Sequence, residues 1–221
     1  MTACVSVFGS VPPFAEGFVR DHRVRWAHEE IGRPYETTLV NGITDSAEYR
    51  AWQPFGQVPA WRDGEVAIFE SGAIVLHIAR SSPILAPPDE AGFARVSAWV
   101  FAALNSVEPF VQNFVSLEDF APGETWVDGY RPIAEAALRP RLDALSAWLE
   151  GKDYLDGSFS AGDIIMSTVL RELSSSLILA EYPVLDAYLR RCQERPAWKR
   201  ALEAQLATFR ENAPAEARPE A

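Results

Sequence analysis

Val58-Pro59-Ala60-Trp61-Arg62-Asp63-Gly64-Glu65-Val66-Ala67-Ile68-Phe69-Glu70-Ser71 is the stretch on which the fold turns. Val58 to Trp61 and Val66 to Phe69 read as two strands. Asp63-Gly64 lies between them, a strong short-range hairpin signal. A helix is expected next, from about Ser71 to Arg80, with Ile74, Val75 and Ile78 on one side. Upstream, Cys4 to Phe8 is short, β-branched and apolar, and Gly9-Ser10 and Pro12-Pro13 end it. A helix then runs to about Ile31: Phe18, Val24, Ala27 and Ile31 fall at roughly helical spacing, and Gly32 is a natural stop. Tyr35 to Val40 reads as a second strand, and Ser46 to Trp52 as a short helix halted before Pro54. The order β-α-β-α-β-β-α, closing on a hairpin, indicates one small α/β sheet domain over residues 1–82 and not a long doubly wound sheet.

Downstream, Ser82-Pro83-Ile84-Leu85-Ala86-Pro87-Pro88-Asp89 holds three prolines and cannot continue a helix. Residues 83–89 are the expected linker. Everything after it reads as helix, so the fold class is α/β plus all-α, with an all-helical domain over 90–210. Val96, Val100, Ala103, Val107 and Val111 sit three and four residues apart, the signature of a long amphipathic run. Pro122-Gly123 breaks it. A helix over roughly Asp128 to Leu149 follows, and two more flank Pro183 and Pro196. Ser160 and Asp163 form a capping box, with Phe159 and Ile164 as its hydrophobic staple; this marks the start of a buried helix and carries no chemistry. Residues 211–221, rich in Pro, Ala, Glu and Arg, are expected to be a disordered tail.

The net charge of −11 and the lack of a basic stripe argue against nucleic acid and against an anionic membrane surface as partners. Cys4 and Cys192 are the two cysteines, which is neither a disulfide framework nor metal-ligand spacing, so no metal is expected. The chain shows no signal peptide and no apolar run near the ~18 residues of a membrane span. A reducing compartment, the cytoplasm, is the plain expectation.

Two segments carry chemistry. A proline opening a strand has no N–H, and a cis Val58-Pro59 bond would turn the Val58 N–H and C=O outward, ready to pair with an extended peptide. A cis X-Pro bond is a minority state, ~5–6% of such bonds, and propensity alone does not predict it. At Phe69-Glu70-Ser71-Gly72 a strand gives way to a helix. Helix N-terminal amides and the Ser71 hydroxyl suit a carboxylate, and Glu70 suits an ammonium. Together they can grip an α-amino-acid end. Taken alone, Glu70-Ser71 is more often a helix cap, and Gln57 is as readily a solvated loop residue.

The chain resembles the glutathione S-transferase family from Val5 to about Arg210. The resemblance rests on Gln53-Pro54-Phe55-Gly56-Gln57-Val58-Pro59, the Asp63-Gly64 hairpin, Phe69-Glu70-Ser71-Gly72-Ala73-Ile74, Val24-Arg25-Trp26-Ala27-His28-Glu29-Glu30 and Phe159-Ser160-Ala161-Gly162-Asp163. It implies a thioredoxin-like N-terminal domain followed by an all-helical C-terminal domain. Val58, beside a cis Pro59, would pair with the cysteinyl backbone of glutathione. Glu70 and Ser71 would hold the γ-glutamyl end, with Gln57 nearby. A homodimer and a small hydrophobic second substrate are also implied.

Catalysis in this family needs an ionised thiol. Lowering a thiol pKa from ~8.5 to 7 takes about 2 kcal/mol, and a hydrogen bond from one good donor contributes roughly 1.5–3 kcal/mol. The family's usual Tyr, Ser or Cys is replaced here by Phe8-Gly9-Ser10-Val11-Pro12-Pro13-Phe14. Ser10 is the nearby hydroxyl, and a backbone amide would also suffice. The expected function is conjugation of the glutathione thiolate to a small hydrophobic electrophile. The alternatives are a non-catalytic glutathione-binding or scaffold protein of the same fold, or another glutathione-dependent reaction such as isomerisation or dehalogenation.

Overall fold

The structure, a computed structural model, describes residues 2–119 and 123–213. They form two compact units: residues up to Ser81 together with those from Pro196 onward, and residues Ser82–Arg195. The stretch expected as one helical domain, 90–210, therefore spans both. Of the expected tail, residues 214–221 lie outside the described residues, and Glu211 and Asn212 are helical.

The first unit is built on β1 (Ala3–Val7), β2 (Tyr35–Leu39), β3 (Ala60–Asp63) and β4 (Val66–Phe69), in the order β2-β1-β3-β4. β1 and β2 are parallel, Ala3 opposite Tyr35 and Val7 opposite Leu39. β3 is antiparallel to β1 and β4. Asp63 is not in the turn, as its sequence signal suggested, but pairs with Val66; the turn is Gly64-Glu65, with Gly64 at φ +58°. Glycine takes that conformation without a Cβ clash.

The first helix is shorter than expected. A 3-10 turn at Pro13–Ala15 comes first, and Gly17 at φ +81° separates it from α1 (Asp21–Ile31). α1 ends at Gly32, φ +64°, whose N–H reaches the His28 carbonyl. Every residue from Asp21 to His28 is buried, because α1 packs against both α3 (Ser71–Ala79) and α9 (Pro196–Asn212); α2 is the single turn Ala47–Arg50.

Polar groups fasten α9 to α1. Arg25 Nε donates to Asp21 Oδ2 at 2.7 Å, and its Nη2 reaches Thr208 Oγ1 at 3.2 Å. Gln205 Nε2 donates to Asp21 Oδ1 and to the Val19 carbonyl. Burial pushes the Asp21 carboxyl up against the opposing pull of Arg25. His28 pins α1 to the sheet: its Nε2 accepts from Trp61 Nε1 at 3.1 Å, so its Nδ1 carries the proton and donates to the Arg33 carbonyl at 3.2 Å. Burial lowers its pKa to about 4.

The second unit holds α4 (Glu90–Phe101), α5 (Glu108–Asp119), α6 (Val127–Leu149), α7 (Ala161–Arg171) and α8 (Pro183–Gln193). The long amphipathic run is not uniform. It widens into a π-helical turn at Ala102–Val107, just before Pro109. In a regular helix that proline would crowd the Asn105 carbonyl, and it has no N–H to offer. Of the expected break, Pro122 lies outside the described residues and Gly123 sits at φ +80°.

α7 is the buried centre. A Cβ on Gly162 would stand 2.7 Å from Trp99 Cβ, so glycine permits the close approach of α7 and α4. The capping box is present: Asp163 Oδ2 accepts from the Ser160 N–H at 2.9 Å, and Gly162 N–H reaches Ser160 Oγ at 3.2 Å. Asp163 Oδ1 also takes the Leu155 N–H at 3.0 Å and the Tyr188 hydroxyl at 2.9 Å. The linker belongs to this unit, since Leu85 is buried and its carbonyl accepts from Ala161 N–H at 2.8 Å. Among the described residues no helix is long and apolar enough to cross a membrane.

Candidate functional site

The β3–β4 ladder places the two predicted segments side by side. Ala60 pairs with Phe69, so one step further along lie Pro59 and Glu70. The Val58-Pro59 bond is cis. Val58 and Pro59 are buried, yet the N–H and C=O of Val58 meet no hydrogen-bond partner among the described residues. Most backbone N–H and C=O groups in folded proteins are paired, so a residue whose groups meet no protein partner stands out. This one is a ladder edge available to an extended ligand.

The loop before it is tightly held. Gln53 Oε1 accepts from Phe55 N–H at 2.7 Å. Gly56 sits at φ +66°, and a Cβ there would come 2.9 Å from the Thr44 carbonyl. Arg50 donates to the Pro54 carbonyl at 2.9 Å and pairs with Asp45, so it braces this loop. Gln57 is exposed and offers its side chain to solvent, while its carbonyl accepts from the Tyr49 hydroxyl at 2.6 Å.

Glu70 is the one non-glycine with positive φ among the described residues, at φ +69° and ψ 116°. Such a backbone costs of order 1–3 kcal/mol and persists where its surroundings impose it, commonly at ligand clamps. Its exposed carboxylate stands at the start of α3. Ser71 is buried beside it, and its Oγ accepts from Arg23 Nη1 at 3.2 Å. An oxygen that accepts from a guanidinium keeps its own proton for another acceptor. The open N–H groups of the first helical turn point the same way. An anion-holding hydroxyl and amide set thus sits next to a carboxylate, the pair needed for a zwitterionic α-carbon.

The loop after β1 carries Ser10. Asn41 grips it: Gly9 N–H donates to Asn41 Oδ1, and Asn41 Nδ2 donates to the Ser10 carbonyl at 3.2 Å, with a longer contact of 3.4 Å to Ser10 Oγ. The Ser10 proton is left for another partner. Phe14, in the 3-10 turn that follows, is exposed. Cys4 Sγ lies 3.0 Å from Thr38 Oγ1, and burial pushes the Cys192 thiol up.

Sequence reasoning missed Arg23, Asn41 and the pair Ser6 and Tyr49. One signal was available for Ser6, a lone hydroxyl inside the apolar strand Ala3–Val7, where burial demands a partner.

A sheet in the order β2-β1-β3-β4 with helices α1 and α3, a cis-proline loop beside a helix N-terminus, and a helical unit following in sequence define the thioredoxin-like plus all-α class. The family model for the glutathione S-transferase N-terminal domain matches residues 21–81. Glutathione S-transferase 1 of Zea mays is 30% identical over 176 residues, covering 75% of this chain and 80% of that protein. Glutathione S-transferase APIC of Nicotiana tabacum is 28% identical over 190 residues, covering 75% and 82%. The chain belongs to the glutathione S-transferase family. In fold it is similar to a Burkholderia graminis glutathione transferase solved with two glutathione molecules per subunit (TM-score 0.79, 24% identity, 92% and 88% of the chains). It is similar also to glutathione transferase F2 of Populus trichocarpa (TM-score 0.80, 21% identity, 93% and 99%).

Proposed function

We propose that this protein is a glutathione transferase that joins the glutathione sulfur to a small hydrophobic electrophile. The observation that carries the reading is the unpaired Val58 backbone just before β3, whose first pair, Ala60 with Phe69, adjoins Glu70 and Ser71. Glutathione offers what each part lacks: a cysteinyl N–H and C=O for Val58, a γ-glutamyl carboxylate for Ser71 and the α3 amides, and an ammonium for Glu70. Gln57 lies at the rim of the same site. No metal enters this chemistry.

Ser10 then donates its proton in a hydrogen bond to the thiolate, which favours the ionised sulfur. The thiol proton leaves to solvent, the sulfur lone pair forms the new bond to carbon, and the leaving group departs with its electron pair. Proximity supplies the rest. The reading extends to a cytoplasmic homodimer acting in detoxification. The transferase part of the reading is supported by Zea mays and Nicotiana tabacum relatives that carry the transferase name.

A second reading is a glutathione-binding protein without transferase activity. Its support is the Pro13–Ala15 turn, where proline and exposed Phe14 stand close to the family's usual donor position.

Calorimetry with glutathione tests the site: binding that Glu70→Ala weakens at least tenfold is expected, and no binding at millimolar ligand overturns both readings. An ultraviolet difference spectrum of the bound form, followed by a panel of aryl and alkyl electrophiles, separates enzyme from binder.

A further inference from the structure

The Val58-Pro59 dipeptide is bracketed by two tied groups, and one chain of side-chain hydroxyls ties both. Ala60 N–H donates to Ser6 Oγ at 2.7 Å. Ser6 Oγ lies 2.8 Å from Tyr49 Oη. Tyr49 Oη lies 2.6 Å from the Gln57 carbonyl. The direction of every proton is forced. An amide N–H can only give and a carbonyl can only accept, so Tyr49 gives its proton to Gln57 and Ser6 gives its own to Tyr49.

Both side chains are buried, Ser6 fully and Tyr49 to 3% exposure. Tyr49 sits in an apolar cluster with Val40 and Val58, flanked by Phe8, Val19 and Trp52. In such surroundings an unmatched hydroxyl is expensive, so the chain has little freedom to rearrange. It links β1, α2 and β3, and fixes residue 57 on one side of the dipeptide and residue 60 on the other. Between them Val58 keeps both its N–H and C=O open, and Pro59 its carbonyl.

We propose that Ser6 and Tyr49 are positioning residues for glutathione, holding the Val58 N–H and C=O at the spacing that the ligand's cysteinyl residue requires. This rests on the reading of Val58 as the glutathione-pairing edge. Neither side chain touches the ligand in this arrangement. Their effect passes through the backbone of Gln57 and Ala60.

The test uses the full chain with Tyr49→Phe, Ser6→Ala and the double variant. Two ligands are measured by calorimetry at a temperature where each variant is folded: glutathione, and its ester analogue in which oxygen replaces the cysteinyl N–H. Each single variant is expected to weaken glutathione about tenfold. The double variant should be no worse than about twofold beyond either, since all three break the same chain. The ester analogue should bind wild type at least fivefold more weakly than glutathione does, and the variants by twofold or less, because their pairing to that N–H is already lost. A merely structural role would lower the melting temperature and leave both ratios at their wild-type values, which overturns the proposal. If Tyr49→Phe does not fold, Ser6→Ala, the smaller change, decides by the same ratios. If Glu70→Ala weakens glutathione and neither hydroxyl variant does, the positioning role fails and the site stands. If wild type does not bind glutathione, both fall together.

Discussion

Asn41 holds Ser10 by its carbonyl at 3.2 Å and, through the other end of the same amide, holds the neighbouring Gly9 N–H. The residue proposed to face the thiol is therefore fixed from β2's trailing loop and not from its own strand alone. Ser10→Ala is expected to raise the pKa of bound glutathione by about 1–2 units, since a hydrogen bond to a charged group is worth roughly 1.5–3 kcal/mol and one unit is about 1.4 kcal/mol. The thiolate absorbance titrated against pH reads this directly. An unchanged titration would assign the role to a backbone amide.

Glu70 joins an unfavourable backbone to a useful carboxylate, and the two separate under mutation. Glu70→Gly relieves a strain of order 1–3 kcal/mol and adds chain entropy of about 0.5–1 kcal/mol to the unfolded state. The variant should be more stable by about 1 kcal/mol in urea unfolding, yet bind glutathione at least tenfold more weakly. Glu70→Ala keeps the strain and should lose affinity with no gain in stability. Equal stability of the two variants would contradict the account of Glu70.

Asp163 is fully buried and accepts from four groups: Leu155 N–H, Ser160 N–H, Ser160 Oγ and the Tyr188 hydroxyl. Asp163→Ala strands several buried donors at about 1–3 kcal/mol each. Its loss should exceed 4 kcal/mol, a large share of the 5–15 kcal/mol that holds a typical domain folded. Ser160→Ala removes one cap at about 1 kcal/mol. Chemical denaturation of the two variants should show this ordering, and a small effect of Asp163→Ala would refute the network.

His28 makes stability depend on pH. Burial lowers its pKa from 6.5 to about 4. The unfolded chain therefore binds the proton first as pH falls, and stability is fully present above 6.5 and lost progressively down to about 4. By linkage the loss at pH 4.5 is roughly 2.5 kcal/mol. His28→Gln should be less stable at pH 7.5 but lose less between 7.5 and 4.5. Parallel pH dependences for the two proteins would rule His28 out as the titrating group.

The first unit was legible because its signals are local. Short apolar strands, Asp63-Gly64 and Gly32 act within a few residues of themselves, and they marked the elements to within a residue or two. The start of α1 was misjudged because Phe18 fits a helical pattern while Gly17, one residue earlier, takes a conformation that ends the preceding turn. The π-helical turn had a visible cause in Pro109, but periodicity averages over such a defect. The candidate site divides in the same way. Val58, Pro59, Glu70 and Ser71 announce themselves through strand and helix boundaries and through the family resemblance. Ser6 and Asn41 act across 32 to 54 residues of chain, and Tyr49 joins a contact 43 residues back to one 8 residues on, so nothing in local spacing selects their partners.

The place of α9 was hidden for a related reason. Gln205 and Thr208 carry no local signal, yet they meet Asp21 and Arg25 of α1. The N-terminal unit is thus discontinuous in sequence: its last helix begins at Pro196, after the whole of the other unit. During synthesis the glutathione-type domain, though made first, cannot close its core until α9 has left the ribosome. The helical unit, complete at Arg195, has all its residues earlier. Domains made N-terminal first commonly fold in that order; here the chain's connectivity completes the helical unit first.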